Sequence, residues 1–217
     1  MLDTLKQELL TAVTYLKDQK MRFLGKGSMT VFDRANNLIA AEPSADYPAI
    51  SIADIPVVDI SGQIVEGTGS PCIDLPTHIE LYRAFPSVSC IIHTHGMYTS
   101  AWAQAGRDIP IYGTGHLDFF KEAIPCTRAL SASEAESGYE ISAGLCIAET
   151  FQKKSLSSEA TSAVLLFQHG GYVWGSTPAE TANRTVALEQ IAMLAYLTEK
   201  INPDIVGLPR NIIGHSE

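Results

Sequence analysis

The chain has 217 residues, of which 46% are hydrophobic and 18% are charged. This apolar share supports a folded core and excludes wholesale disorder. The 15 Lys and Arg residues against 24 Asp and Glu residues give a formal net charge of -9. Such an acidic balance argues against a non-specific nucleic-acid-binding protein and against docking on anionic lipid.

The sequence has no uncharged apolar run near the roughly 20 residues that span a bilayer. Residues 1–13 interleave charges with leucines and lack the basic start and apolar block of a signal peptide. Four cysteines stand without any CxxC pair, and we expect them to be buried thiols rather than a disulfide framework. The sequence shows no linker and no repeat, so we expect one domain over residues 1–217. Without a signal peptide or an apolar span, we expect it in the cytoplasm.

Helices and strands alternate along the predicted chain. Apolar residues at three- and four-residue spacing predict helices at 2–16, 74–85, 98–105, 139–151 and 178–200. The last of these opens with a capping box at Thr177 and Glu180. Short apolar runs predict strands at 28–32, 38–41, 55–60, 63–65, 88–92, 163–167 and 172–174. Because tight turns join several strand pairs, we expect a largely antiparallel or mixed sheet covered by helices.

Three histidines follow buried strands and form the sharpest chemical signal. His93 and His95 are two residues apart at the end of one apolar run, so on a strand both side chains share a face. His169 ends a second apolar run and precedes two glycines, which permit close approach. Neutral imidazoles placed in this way are typical ligands of Zn²⁺ and similar ions. Taken singly, each histidine would more often be a strand-end residue bonded to backbone.

A fourth ligand or a proton acceptor would be a carboxylate. Asp74 precedes a predicted helix, where an ordinary N-cap is the competing interpretation. Asp118 lies in a glycine-rich loop beside two phenylalanines, where a raised pKa would suit proton transfer. The competing interpretation is a loop aspartate bonded to backbone. The remaining histidines, at positions 78, 116 and 215, carry weaker signals.

The motifs together resemble the class II aldolase/adducin family, in particular its L-ribulose-5-phosphate 4-epimerase branch. The resemblance covers about residues 60–195 and rests on DLPTHIELYRAFP (74–86), IHTH (92–95), WAQAG (102–106), GTGHLDFF (113–120), IPCTR (124–128), GYE (138–140) and HGGYVWG (169–175). It implies a three-layer α/β/α sandwich around a mainly antiparallel sheet. It also implies a homotetramer with active sites between neighbouring subunits.

The resemblance further implies a divalent metal, usually zinc, on His93, His95 and His169, with Asp74 at the family's acidic metal position. Mn²⁺, Co²⁺ and Fe²⁺ are the other candidates. Asp118 matches an acid/base position at the subunit boundary. The implied activity makes or breaks a C–C bond of a hydroxy-carbonyl substrate through a metal-bound enediolate. Two other functions fit the same residues: an Fe(II)-dependent oxygenase and a non-catalytic adducin-like module.

Three departures from the family pattern affect its phosphate site. The usual Gly-Asn-Val-Ser becomes GSMT at 27–30, a Lys-Pro-Ser-Gly becomes EPSA at 42–45, and a Ser-Ser-Asp becomes CID at 72–74. Glu42 thus replaces a lysine, and we expect poor use of phosphate esters. Arg22 and Arg210 are candidates to supply replacement cations. The epimerase's C-terminal Tyr-Tyr-Gly is also missing, and His215 is a candidate to take over its acid/base role.

Overall fold

The computed structural model describes residues 2–44 and 50–208, apart from the side chain of Leu24. Its helices are α1 (Leu2–Asp18), α2 (Leu75–Ala84), α3 (Met97–Ala105), α4 (Thr114–Leu117), α5 (Ala132–Lys154) and α6 (Pro178–Ile201). Its strands are β1 (Gly27–Asp33), β2 (Leu38–Ala41), β3 (Val57–Asp59), β4 (Ile64–Glu66), β5 (Cys90–Thr94), β6 (Ala163–Leu166) and β7 (Gly170–Gly175). Short 3₁₀ turns lie at Phe23–Gly25 and Ile52–Asp54.

The strands form one sheet in the order β4-β3-β2-β1-β5-β7-β6, with every neighbouring pair antiparallel. The tight turns after β1, β3 and β6 produce adjacent antiparallel pairs, as predicted. Longer connections through α2 and through α3 to α5 insert β5 between β1 and β7. The two strands that carry the histidines therefore lie side by side in the middle of the sheet.

Helices cover both faces of the sheet. The α1, α3 and α6 helices pack on one face, whereas α2 and α5 pack on the other. The period of two along β5 sends Ile91 into the core under α2 and α5 and Ile92 into the opposite core. The predicted α/β/α sandwich with its antiparallel sheet is confirmed.

Three helices differ from the prediction. The α5 helix begins at Ala132 rather than Tyr139, because Ser131 and Glu134 form a capping box that starts an additional turn. Gly138, with a φ of +140°, interrupts the helix just before Tyr139. The four-residue α4 was missed, since one turn shows no apolar periodicity. At the start of α6 the Glu180 carboxylate accepts from Ser176 rather than completing the predicted box with Thr177.

All four cysteines are free and buried, as expected: Cys72, Cys90, Cys126 and Cys146. In the described parts of the chain, none of the helices combines the length and the apolar character needed to cross a bilayer.

Candidate metal centre

Three imidazole side chains meet above the central strands. Nε2 of His93 lies 2.9 Å from Nε2 of His95 and 3.1 Å from Nε2 of His169. The candidate ligand atoms of the three residues all lie within 4.8 Å of one another. The structure therefore brings together the trio that the sequence predicted.

The local geometry of β5 and β7 explains this convergence. His93 is in β5, directly opposite Tyr172 of β7, and their rings stack with centroids 4.3 Å apart. His95 follows the last residue of β5, and His169 immediately precedes β7. A Cβ atom added to Gly170 would lie 2.6 Å from the carbonyl oxygen of Thr94 and 3.2 Å from Cε1 of His93. Glycine is required there because a side chain would displace the cluster.

Hydrogen bonds orient two of the rings. Nδ1 of His93 lies 3.0 Å from the carbonyl oxygen of Gly171, to which it donates, so Nε2 presents a lone pair to the other histidines. Nδ1 of His169 contacts the hydroxyl of Tyr139 at 2.9 Å. Burial lowers the pKa of all three histidines, and mutual repulsion lowers the pKa of His93 and His95 further. The rings are therefore neutral, as metal ligands are.

This donor set fits a divalent metal ion. At the usual zinc–nitrogen distance, nitrogens in a tetrahedral arrangement are about 3.3 Å apart, close to the separations seen here. Neutral imidazoles that turn lone pairs toward one another repel unless a cation lies between them. The ring nitrogens of His93 and His169 that face away from the cluster have the outer hydrogen bonds typical of metal-ligating histidines.

The histidines lie in a cavity of about 820 Å³. The other lining residues come from the loop before β1, the start of β1, the segments after β2 and before α2, and the interrupted part of α5. They are Gly25, Lys26, Gly27, Ser28, Glu42, Pro43, Ser44, Cys72, Ile73, Asp74, Tyr139 and Glu140. A larger groove of about 1020 Å³ between α1 and α6 contains no histidine.

The two predicted carboxylates lie in different places. Asp74 lines the cavity at the start of α2, and its side chain makes no capping hydrogen bond. Its negative charge raises the pKa of His95 and His169 against the effect of burial. Asp118 is an exposed residue at the end of α4 and is not among the residues that line the cavity. Within one chain, Asp74 therefore lines the same cavity as the histidines, whereas Asp118 does not.

The remaining histidines do not join the cluster. His78 is a fully buried packing residue of α2 whose Nδ1 lies 2.8 Å from Oγ1 of Thr30. His116 is buried in α4, where Nε2 donates to the carbonyl oxygen of Glu122. His215 and Arg210, the proposed C-terminal replacements, lie outside the described residues.

Most residues of the altered phosphate motifs also line the cavity; Met29 and Thr30 do not, and Ala45 lies outside the described residues. Glu42 is 2% exposed, and its Oε2 accepts a 2.6 Å hydrogen bond from Nη2 of Arg22. Burial raises the pKa of Glu42 to about 7, and Arg22 opposes that shift. Arg22 therefore does approach this part of the site, but as the partner of Glu42.

Sequence reasoning missed two contacts around the cluster. Tyr139 appeared as a helix start and within the family motif GYE (138–140), but no site role was assigned to it. Glu189 of α6 accepts hydrogen bonds from the backbone N–H groups of Tyr98 and Thr99 and thus caps α3 just after His95. Nothing in the local sequence marks this long-range cap.

Comparison with known proteins agrees with this fold. Residues 7–196 match the family described as Class II Aldolase and Adducin N-terminal domain. That match spans most of the chain, and the protein belongs to the class II aldolase and adducin family. Enzymes of this family depend on a divalent metal.

Solved structures of several other proteins have the same fold. An L-fuculose 1-phosphate aldolase superposes with a TM-score of 0.81 at 24% identity, covering 97% of this chain and 93% of its own. YgbL from Klebsiella pneumoniae, named as a candidate aldolase/epimerase/decarboxylase, superposes with a TM-score of 0.77 at 21% identity, covering 100% and 99%. Its Escherichia coli counterpart gives 0.77 at 18% identity, covering 98% and 97%.

Proposed function

We propose that this protein is a divalent-metal-dependent aldehyde-lyase or epimerase that makes or breaks a C–C bond in a sugar-like hydroxy-carbonyl substrate. The observation that carries the proposal is the convergence of three neutral imidazoles in a cavity that Asp74 also lines. The names of the superposed proteins, which include an aldolase and candidate aldolase/epimerases, support the same reaction class. Zn²⁺ is the preferred ion because it favours nitrogen ligands in a tetrahedral arrangement.

The proposed chemistry divides between the ion and the side chains. A divalent ion on the three histidines would act as a Lewis acid toward a carbonyl and an adjacent hydroxyl, stabilising the negative charge that C–C cleavage creates. Asp74 serves as the fourth ligand of the ion or acts as a base. As a base it accepts the proton of the substrate hydroxyl on the carbon that becomes the aldehyde. Tyr139 and the Gly171 carbonyl hold the histidine rings in the orientation that metal binding requires.

Asp118 enters the proposal from a neighbouring subunit. Its carboxylate is exposed and lies outside the cavity of its own chain. A homotetramer that placed α4 of one subunit at the cavity of the next would add the acid/base group that a single chain lacks. Proton transfer by such a positioned carboxylate typically contributes a rate factor of about 10²–10⁴.

We further propose that residues 1–217 form one cytoplasmic domain. Support for one domain comes from α1 and α6, which lie at opposite ends of the described chain and pack against each other and the sheet. The four free, buried cysteines support a reducing compartment.

Carbon–carbon bond formation tests the proposed function directly. Zinc-loaded protein would be incubated with ¹³C-labelled dihydroxyacetone and a panel of short aldehydes, and products followed by NMR. We expect a new C–C bond that requires metal, is lost in His93→Ala and is retained in the exposed control variant Gln190→Ala. Fully metallated protein that forms no such product would contradict the proposal. Oxygen uptake by an iron-loaded form would instead indicate the oxygenase.

A further inference from the structure

Two polar residues, Ser28 and Glu42, line the cavity next to the histidines. Ser28 of β1 lies directly opposite His93 of β5 in the antiparallel register, so the two side chains are cross-strand neighbours. The backbone N–H of Glu42 donates to the carbonyl oxygen of Met29, which places Glu42 beside this end of β1. Both Ser28 and Glu42 line the cavity. A substrate held at the histidines would therefore extend along these two residues.

The Ser28 hydroxyl lacks a good partner among the described residues. It is 1% exposed, and its Oγ makes no hydrogen bond of acceptable geometry within the described part of the chain. Its neighbour is the Cys72 thiol, whose pKa burial raises and a hydrogen bond with Ser28 lowers, and a thiol is only a weak hydrogen-bonding group. A buried hydroxyl that lines a cavity and has only a thiol beside it is suited to a ligand.

The charges around this wall do not favour an anion. Arg22 pairs with Glu42 through a 2.6 Å contact, and the side chains of both are largely buried. The positive charge of Arg22 is therefore balanced by a carboxylate within the protein. Among the described residues that line the cavity, Lys26 is the one lysine or arginine, whereas Glu42, Asp74 and Glu140 all carry carboxylates.

We propose that Ser28 and the Arg22–Glu42 pair form a subsite for an uncharged, hydroxyl-bearing end of the substrate. In this subsite Ser28 hydrogen-bonds a substrate hydroxyl, and Glu42 opposes binding of a phosphate dianion because its carboxylate balances the positive charge of Arg22. The inference rests on the proposed function, because it takes the histidines to hold the reacting end of the same molecule. It specifies the substrate class as a non-phosphorylated polyhydroxy carbonyl compound.

Binding of a matched probe pair to cobalt-loaded protein tests the subsite. Dihydroxyacetone and dihydroxyacetone phosphate differ only by the phosphate, and each would be titrated while the visible spectrum of bound Co²⁺ is recorded. We expect wild-type protein to bind dihydroxyacetone at least as tightly as its phosphate. Glu42→Gln should shift the preference toward the phosphate about tenfold, because it removes the carboxylate that balances the charge of Arg22. Ser28→Ala should weaken dihydroxyacetone binding severalfold.

Glu66→Gln is the matched control, because Glu66 pairs with Lys6 at 2.6 Å but is not a lining residue of the cavity. It should leave the preference unchanged. A tenfold preference of wild-type protein for the phosphate would overturn the subsite, and so would an unchanged preference in folded Glu42→Gln. In both cases the spectrum of bound Co²⁺ would show that the metal centre itself is intact. If neither probe alters that spectrum, the proposed function fails and the subsite with it. Failure of cobalt to bind would have the same meaning.

Discussion

The hydroxyl of Tyr139 lies 2.9 Å from Nδ1 of His169. This contact joins the start of the long second part of α5 to the residue before β7. Tyr139 is half-buried, and its ring also lies against the His169 ring at a centroid distance of 5.6 Å. The hydrogen bond holds the imidazole with Nε2 facing His93, which is the orientation a shared metal ion needs.

Tyr139→Phe should weaken metal binding by about tenfold, since removing an outer hydrogen bond from a ligating histidine typically costs that much or more. The ring contact remains, so the free energy of unfolding of metal-free protein should change little. Competition against a chelator gives the affinity. Tyr112→Phe is the control, because it removes a comparable hydroxyl bond to Glu199 outside the cavity. Equal metal affinity in Tyr139→Phe and wild type would disprove the orienting role.

Gly170→Ala should lose both metal and stability. The added Cβ would lie 2.6 Å from a backbone oxygen and press on His93, so the strand ends must separate. Gly113→Ala is a suitable control, since a Cβ there meets no atom within 4 Å. Chemical denaturation and elemental analysis of the two variants would measure the difference. A Gly170→Ala protein with wild-type stability and metal content would show that the close approach is not needed.

Glu189→Gln tests how α3 supports His95. The carboxylate accepts from Tyr98 N, Thr99 N and the Thr99 hydroxyl at 2.8, 3.0 and 2.7 Å. An amide of the same size keeps only one acceptor oxygen and removes the favourable charge at the helix start. We expect a loss of about 1–3 kcal/mol in the free energy of unfolding, measured in urea. The neighbouring exposed variant Gln190→Ala should lose less than about 0.5 kcal/mol; equal losses would refute the capping role.

Asp118→Asn should reduce turnover by about 10²-fold or more if the carboxylate transfers a proton, while metal content is unchanged. Mixing subunits separates action across a boundary from action within a chain. Asp118→Asn and His93→Ala proteins, each with little activity alone, should gain activity after joint refolding, because some hybrid sites combine intact histidines with an intact Asp118. Light scattering should give a tetramer. A fully active monomer, or no recovery in mixtures, would reject the shared site.

Some of this structure follows from local sequence pattern. The spacing of two in the His93-Thr94-His95 motif and the apolar runs before it predict imidazoles on one face of a strand. The helix periods and turn residues likewise predict the layers of the fold. Such signals work because they depend on neighbours along the chain.

The contacts that the sequence did not reveal are long-range. Tyr139 meets a histidine 30 residues away, Glu189 caps a helix 90 residues earlier, and Arg22 pairs across 20 residues. None of these contacts produces a periodic pattern in the sequence. They form only when the sheet and the helices pack together. Glu42 was recognised as an unusual residue, but the sequence did not show that it holds an arginine.

Metal stoichiometry of purified wild-type, His93→Ala and His95→Ala proteins, determined by elemental analysis after dialysis against zinc-containing and then metal-free buffer, tests the central claim most directly. The convergence of the three Nε2 atoms predicts about one ion per wild-type chain, and loss of most of that ion in each variant. The Gln190→Ala protein, altered on the outside of α6, should retain it. Full metal occupancy in both histidine variants would contradict the assignment of this cluster as the metal centre.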